Sequence, residues 1–591
     1  MTKKYQLKNG LNVILTESHK SPVVSVQMWV RTGSADEKKG EEGISHFIEH
    51  LVFKGTRKFG VGEIASTIEG SGGELNAYTS FDQTVFYVTI SKEFIDTGLL
   101  AIAEMMGFPN FDSQEIDNER EVVIEEIKRG KDSLSRQASE LLFKTNYTKH
   151  PYGIPVIGYD KNIRTLKTKK IVDFFHSRYA PRNMFLVVTG NFETTEMKKK
   201  VNQLFSEFKD YKIKKVKRNV EKKQKASKIA VEKANFEQSM AYLSWKIPNI
   251  KHKDIPALDV LAMILGQGDT SRLVQKMRIE KAVVNSVGAS SFTPMDDGLF
   301  IVSMSYAKEN LSEALEDIQI VLEKILTQPV TVDEIKKAIL NIASEEYYSM
   351  ETVDGLSRKV GSLEFYFKDL KAQDKFLKSA QKLTAKDIMS VVHKYLNSQT
   401  LNVSVVTNDE VKKTKEIITK WVKKHHKNLK NLKKQKIENK KIAHSKFNKT
   451  KLSSKKVQTE KLILKNGVTL LLRQHEDTHV ISAKAAYLGG IRSENQSIDG
   501  LTEVLGRTWT CGTKNRTENQ IYQEIESLAA GISPVSGRNS LGLGLDILNN
   551  FEKKGLDLFL DILTNPIFSN ETITREKQVQ LEQIKSRNDN P

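Results

Sequence analysis

The sequence predicts an α+β protein built from tandem related domains, and three observations carry that prediction. Apolar and polar residues alternate along 11–15, 23–30 and 84–90, the two-residue period of half-buried strands, and these runs bracket a segment with helical spacing at 46–50. Residues after 459 repeat the start of the chain at a constant offset of 457, so that Leu464-Lys465-Asn466-Gly467 mirrors Leu7-Lys8-Asn9-Gly10. Charged stretches at 212–225 and 411–456 interrupt the apolar patterning. At 591 residues the chain exceeds what one core fills, so three or four domains are expected.

The amino terminus, Met1-Thr2-Lys3-Lys4-Tyr5-Gln6, runs into the first strand with no apolar signal core. A cytoplasmic location is expected for the chain as written, and a periplasmic one if a leader precedes it. No apolar run reaches the roughly 18 residues of a membrane span. The single Cys511 rules out an internal disulfide.

The most informative stretch is His46-Phe47-Ile48-Glu49-His50. Residues four apart stack on one helical face, so both imidazoles can reach one metal ion. Glu49 sits beside them, within reach of a water proton. The pattern H-x-x-E-H reverses the commoner H-E-x-x-H and is the inverzincin signature. A catalytic zinc site needs a third protein ligand, and the best candidate region is 118–128. There Val122, Val123, Ile124 and Ile127 indicate a helix with one buried side, and Glu119 and Glu126, seven apart, share a face.

With these residues the chain resembles the M16 metallopeptidases, the family of pitrilysin, insulin-degrading enzyme and the mitochondrial processing peptidase. Glu126 lies 76 positions after His50 and falls on the family's ligand glutamate; Glu119 falls on the second acid behind the metal. Gly43-Ile44-Ser45, Phe53-Lys54-Gly55-Thr56, His150-Pro151-Tyr152-Gly153 and Tyr179-Ala180-Pro181-Arg182-Asn183 match further landmarks. The resemblance implies one zinc ion per chain held by His46, His50 and Glu126, with Glu49 as general base and Glu119 orienting a ligand histidine. It implies that Asn76 and Ala77, in Gly72-Gly73-Glu74-Leu75-Asn76-Ala77-Tyr78-Thr79, hydrogen-bond an extended substrate at a sheet edge. His150 is read as a structural or hinge residue rather than a fourth ligand. The implied fold is the LuxS/MPP-like metallohydrolase fold, each domain an antiparallel β-sheet packed with α-helices. The implied activity is zinc-dependent endopeptidase cleavage of peptides or unfolded polypeptides.

Four segments follow: a catalytic domain over 1–215, a second domain without metal over 226–425, a lysine-rich linker over 426–458, and a degenerate repeat over 459–591. The second contains Leu265-Gly266-Gln267-Gly268 and Met277-Arg278-Ile279-Glu280, and Asn285 stands where many family members carry a tyrosine. Between 411 and 456, 18 lysines face two acids, Glu416 and Glu438, which supplies most of the formal charge of +19. Like charges repel and stay solvated, so a linker with a helical start is expected. The rival reading, an electrostatic patch for nucleic acid, lacks a recognisable fold or stacking platform; no specific nucleic acid is expected.

At the metal positions the repeat carries Glu503, Gly506, Arg507 and Gln583. An arginine in a ligand position repels a cation, so this copy cannot be a catalytic zinc site of the same type. An active half paired with a degenerate one resembles the single-chain family members, whose halves close as a clamshell. The repeat ends at positions matching 128–134 of the first copy, which reads as a truncated product that associates with a complementary M16 half. The alternative is a non-catalytic scaffold sharing the fold. Intact His46, Glu49, His50 and Glu126 argue against it, since a scaffold needs neither metal nor base.

Overall fold

The computed structural model describes residues 2–214, 216–396, 400–431, 459–474 and 478–587. The first domain is built on a six-stranded sheet of β1 (Thr2–Gln6), β2 (Asn12–Glu17), β3 (Val23–Val30), β4 (Glu74–Thr79), β5 (Thr84–Ser91) and β6 (Met184–Gly190). Their spatial order is β1-β2-β6-β3-β5-β4. All pairs are antiparallel except β2 with β6, because β6 enters late and slots between strands laid down much earlier. Every residue of β6 is buried, as a central strand covered on both faces requires.

One face of this sheet packs on the domain's own helices, α1 (Ile44–Leu51), α2 (Glu63–Gly70), α3 (Ile95–Gly107) and α4 (Ser113–Gly130) among them, while α5 (Leu134–Asn146) packs on the second sheet, with Ala138 and Leu141 against Val406. The other face is covered by a helix of the second domain, Val353–Phe367, packed on Trp29, Val85 and Phe185. The approach is close: a Cβ added at Gly361 would lie 2.2 Å from the Trp29 ring. Only glycine brings that helix down onto the indole.

The second sheet orders β7 (Lys228–Lys233), β8 (Ser239–Ile247), β9 (Ser286–Phe292), β10 (Gly298–Tyr306) and β11 (Asn402–Thr407) as β7-β11-β8-β10-β9, with its late strand β11 again parallel to an early one. The lysine-rich segment begins as a helix, Val411–Asn431. It is no bare solvated run. Ile418, Trp421 and Val422 are buried against the second core, and His425 Nδ1 lies 2.7 Å from Gln319 Oε1. The rest of the expected linker, 432–458, lies outside the described residues.

The third unit repeats the element order of the first, with element bounds that match to within two residues. Its strands β12 (Thr459–Ile463), β13 (Thr469–Arg473), β14 (Val480–Leu488), β15 (Gly531–Ser536) and β16 (Ser540–Leu548) follow β1 to β5 at the offset of 457. Helices Glu552–Thr564 and Asn570–Arg587 match α3 and α4 end to end at the same offset. The strands form a β12-β13 hairpin and a β14-β16-β15 sheet; among the described residues nothing takes the place that β6 holds in the first sheet. Ile463, Leu471 and Leu488 are accordingly exposed. This unit leans on the second domain through Glu526, which accepts from Thr270 N at 2.8 Å and pairs with Lys337 at 2.8 Å. The fold is thus α+β with tandem related units, as the sequence predicts. Among the described residues no helix is long and apolar enough to cross a membrane.

Candidate metal centre

Helix α1 carries the motif, and its start needs help because Gly43, at its N-cap, has no side chain to offer the first amides. The Glu37 carboxylate takes that role, accepting from Gly43 N and Ser45 N at 2.8 Å each. Gly43 itself adopts φ 97°, and a Cβ there would meet Ile157 O at 2.4 Å. Ile44, Phe47, Ile48 and Leu51 bury the core side of the helix, which turns His46, Glu49 and His50 toward α4 and β4. Helix α4 is capped by Asp112, whose carboxylate accepts from Gln114 N and Glu115 N. Its buried Ile116, Val123 and Ile124 leave Glu119 and Glu126 facing the motif.

The two helices bring the predicted ligands together. His46 Nε2 and His50 Nε2 lie 3.6 Å and 3.7 Å from the same Glu126 oxygen, Oε2. These separations are too long for hydrogen bonds. They suit ligand atoms around one tetrahedral ion, which bonds of ~2.1 Å hold roughly 3.4 Å apart. Two imidazole nitrogens and a carboxylate are also the donor set a borderline-soft divalent ion prefers. The residues present therefore fit zinc.

Behind His50, Glu119 Oε1 lies 2.8 Å from Nδ1, and Lys54 Nζ lies 2.7 Å from Oε2. The carboxylate accepts a hydrogen bond from Nδ1–H, which leaves the Nε2 lone pair facing Glu126. Burial alone would lower the His50 pKa, but the hydrogen bond and charge of Glu119, with Glu49 and Glu126, outweigh it and raise it. His46 has no such support: burial, then the nearby His50 and Arg136, push its pKa down to about 3. A neutral imidazole with a free lone pair results. Burial raises the Glu49 pKa above the usual carboxylate range, and a hydrogen bond donated by Thr79 Oγ1 to Oε2 opposes it. A group poised this way suits proton transfer.

The third unit has the same backbone and a different solution. Arg507, at the position matching His50, pairs with Glu503 Oε1 at 3.0 Å and donates to Gln583 Oε1. One guanidinium fills the space a cation would take, and Gly506 leaves no base.

The edge strand β4 lies against α1 with its outer side open. Ser80 N donates to Gln83 O at 2.8 Å, which fixes the alternation of the β4-β5 hairpin. Counting back, Asn76 opposite Tyr87 turns its backbone into the ladder, and Ala77 opposite Phe86 turns its backbone to the open edge. The Ala77 N–H meets Asn76 Oδ1 at 2.8 Å instead of a strand. Ala77 thus leaves its main-chain groups outside the ladder on the open edge, beside the Asn76 side chain.

His150 stands apart from the metal cluster. Its Nδ1 accepts from Tyr152 N, and its Nε2 lies 3.2 Å from Asp296 in the β9-β10 connection. Beside it, Arg218 joins Asp82 of the β4-β5 turn (2.6 Å) to Asp296 (2.9 Å) and Asp36 (3.1 Å). The charged stretch between the domains therefore contains a clamp. His150 sits beside this clamp and outside the group of His46, His50 and Glu126.

Thr79, Lys54 and Arg136 join the site without a signal in the sequence, as Arg218 joins the clamp. Arg136 Nη2 lies 3.8 Å from Glu126 Oε1. Thr79 falls inside the quoted edge-strand stretch, but its partner Glu49 is 30 residues away, a pairing that only the packing of α1 on β4 reveals.

Comparison with known proteins supplies the context. The family model described as insulinase, peptidase family M16, matches residues 12–160 and again 470–591, and the peptidase M16 inactive domain matches 165–342. The zinc protease PqqE of Helicobacter pylori is 30% identical over 352 residues, 58% of this chain and 79% of that protein. An uncharacterized zinc protease of Bacillus subtilis, YmxG, is 28% identical over 377 residues, 64% of this chain and 91% of the relative. Among solved structures, a protease from Helicobacter pylori superposes with a TM-score of 0.64 at 27% identity, covering 69% of this chain and 99% of that one. The periplasmic protease PqqL from Escherichia coli, 18% identical, shares the fold over 100% of this chain and 69% of its own, with a TM-score of 0.62.

Proposed function

The chain belongs to peptidase family M16, and from that premise we propose that it is a zinc-dependent endopeptidase acting on peptides or unfolded polypeptides. The observation that carries this reading is the convergence of His46, His50 and Glu126 beside Glu49, against the arginine-filled copy of the same backbone. His46 and His50 would hold the ion through Nε2 and Glu126 through a carboxylate oxygen. When bound, zinc supplies Lewis acidity that acidifies water and polarises a carbonyl.

The chain's own residues do the rest. Glu49 takes a proton from the attacking water and returns it to the leaving amine. Thr79 holds Oε2 of Glu49, so that Oε1 is the oxygen left for proton transfer. Glu119 fixes His50 in the tautomer that presents Nε2, with Lys54 balancing its charge. Ala77 pairs with the substrate backbone as an added strand, and Asn76 swings its amide from Ala77 N–H to the substrate. A substrate must be extended to bind this way, which favours unfolded chains over folded ones.

Metal analysis and hydrolysis of an unstructured peptide test the reading. Glu49→Gln keeps one zinc per chain and loses nearly all hydrolysis, because the amide cannot accept the proton. Undiminished turnover in that variant refutes the role given to Glu49.

A further inference from the structure

A cavity of about 700 Å³ opens where the first domain, the connecting segment 218–226 and the second sheet meet. Its walls include none of the metal-centre residues. Six lysines and Arg218 face it, against three carboxylates. Two of those acids are already engaged. Glu221 accepts from His150 N at 2.9 Å and from Thr148 Oγ1 at 3.1 Å, while Asp296 holds Arg218 and His150. The cavity is therefore a basin of unbalanced positive charge in a size range, roughly 300–1,000 Å³, that suits small ligands.

Lys246 of β8 is the informative group. Its Nζ is buried and has no hydrogen-bond partner among the described residues. It rests 3.1 Å from the centre of the Tyr147 ring, whose hydroxyl is committed to Asp297 O at 2.7 Å. The ring's π-face offers partial compensation and no proton acceptor. A buried ammonium with no acceptor is costly, so it either gives up its proton or waits for a counter-charge. Burial brings the Lys246 pKa down to about 7, with Glu221 and Asp297 opposing and Lys228 adding to it. Lys149, Lys222, Lys223 and Lys225 are exposed around the opening, where they raise the local concentration of anions.

We propose that this cavity binds a small, multiply charged oxyanion, one negative group of which pairs with the Lys246 ammonium. The shared chemistry is that of phosphate or carboxylate clusters, which lysine recognises as a point charge. A ligand seated there touches 146–150 of the first domain, the connecting segment and β8 of the second, and so fastens the two domains at the Arg218 clamp. The proposal is independent of the zinc reading, since neither metal nor hydrolysis enters it.

Isothermal titration of the full chain with pyrophosphate and, separately, citrate tests it and distinguishes the two anion sources. One probe is expected to bind at one site per chain, and Lys246→Met weakens it about tenfold or more, ~1.4 kcal/mol. Lys420→Met, on the exposed face of the lysine-rich helix, leaves that binding unchanged and so controls for general attraction to a basic protein. Hydrogen exchange on the unsubstituted protein gives a readout that does not depend on the variant folding: the ligand slows exchange at 146–150 and 218–226. Equal affinity in Lys246→Met, no slowing in those segments, or no binding of either probe below about 10 mM overturns the proposal.

Discussion

Replacing Glu119 by glutamine removes one negative charge from behind His50 while keeping the shape of the side chain. The carboxylate is nearly inaccessible, with 6% of its side chain exposed, and it serves two donors at once, His50 Nδ1 at 2.8 Å and Lys54 Nζ at 2.7 Å. A glutamine oxygen can satisfy only one of them, and its amide hydrogens then face the other. If it keeps Lys54, His50 is free to take the wrong tautomer; if it keeps His50, the ammonium meets a donor. Hydrogen bonds to charged groups contribute ~1.5–3 kcal/mol. Lys54 is a third exposed and regains part of its loss from water. The loss that reaches the ion is the orientation and basicity of one imidazole, worth about 10- to 100-fold in metal affinity. Competition with a chelator of known zinc affinity, at neutral pH, reads this as a change in Kd. Lys54→Met, which removes only the outer donor, weakens zinc less. A Glu119→Gln protein that holds zinc within about twofold of the parent refutes the argument that Glu119 orients the ligand.

Other outcomes follow from the same geometry. Thr79→Val keeps zinc but frees Glu49, lowering kcat by up to about tenfold with little change in KM, and Thr79→Ser restores it; steady-state kinetics on one peptide distinguishes these. Ala77→Pro deletes an outward main-chain donor without breaking the ladder, so kcat/KM falls about tenfold at unchanged metal content. The Asp296 carboxyl is held down to about 2, first by His150 and then by Arg218. A carboxyl depressed when folded contributes stability above its ordinary value of 3.8 that is lost as pH falls toward 2. Thermal midpoints of the parent should therefore exceed those of Asp296→Asn at pH 6, and the gap should narrow below about pH 4 and close only as the pH approaches 2.

Legibility of this protein in its sequence divides along the range of the interactions. The helical motif and the shared face of Glu119 and Glu126 are written in short-range spacing, the repeat at offset 457 in matching stretches of sequence, and the structure reproduces all three. The loss of the metal site in the repeat is equally plain from its four substitutions, though the arginine bridge that replaces it emerges only in three dimensions. Periodicity located β2, β3 and β5 but not the insertion of β6 between β2 and β3, because strand order depends on pairing across some 170 residues. The lysine-rich segment hides a buried stripe, Ile418, Trp421 and Val422, that charge counting obscures. The same blindness covered Arg218, which a run of surrounding charges disguised as solvated while it joins three aspartates. Edge-strand detail was also out of reach: which of Asn76 and Ala77 points its backbone outward follows from the hairpin's hydrogen-bond phase.

A single cation held between α1 and α4 underlies the proposed activity. Anomalous diffraction at the zinc absorption edge, from crystals grown with the metal, locates it directly. One strong peak per chain is expected, ~2.1 Å from His46 Nε2, His50 Nε2 and a Glu126 oxygen, and none beside Arg507. A peak held by other side chains, or zinc bound in the third unit with the first site empty, contradicts it.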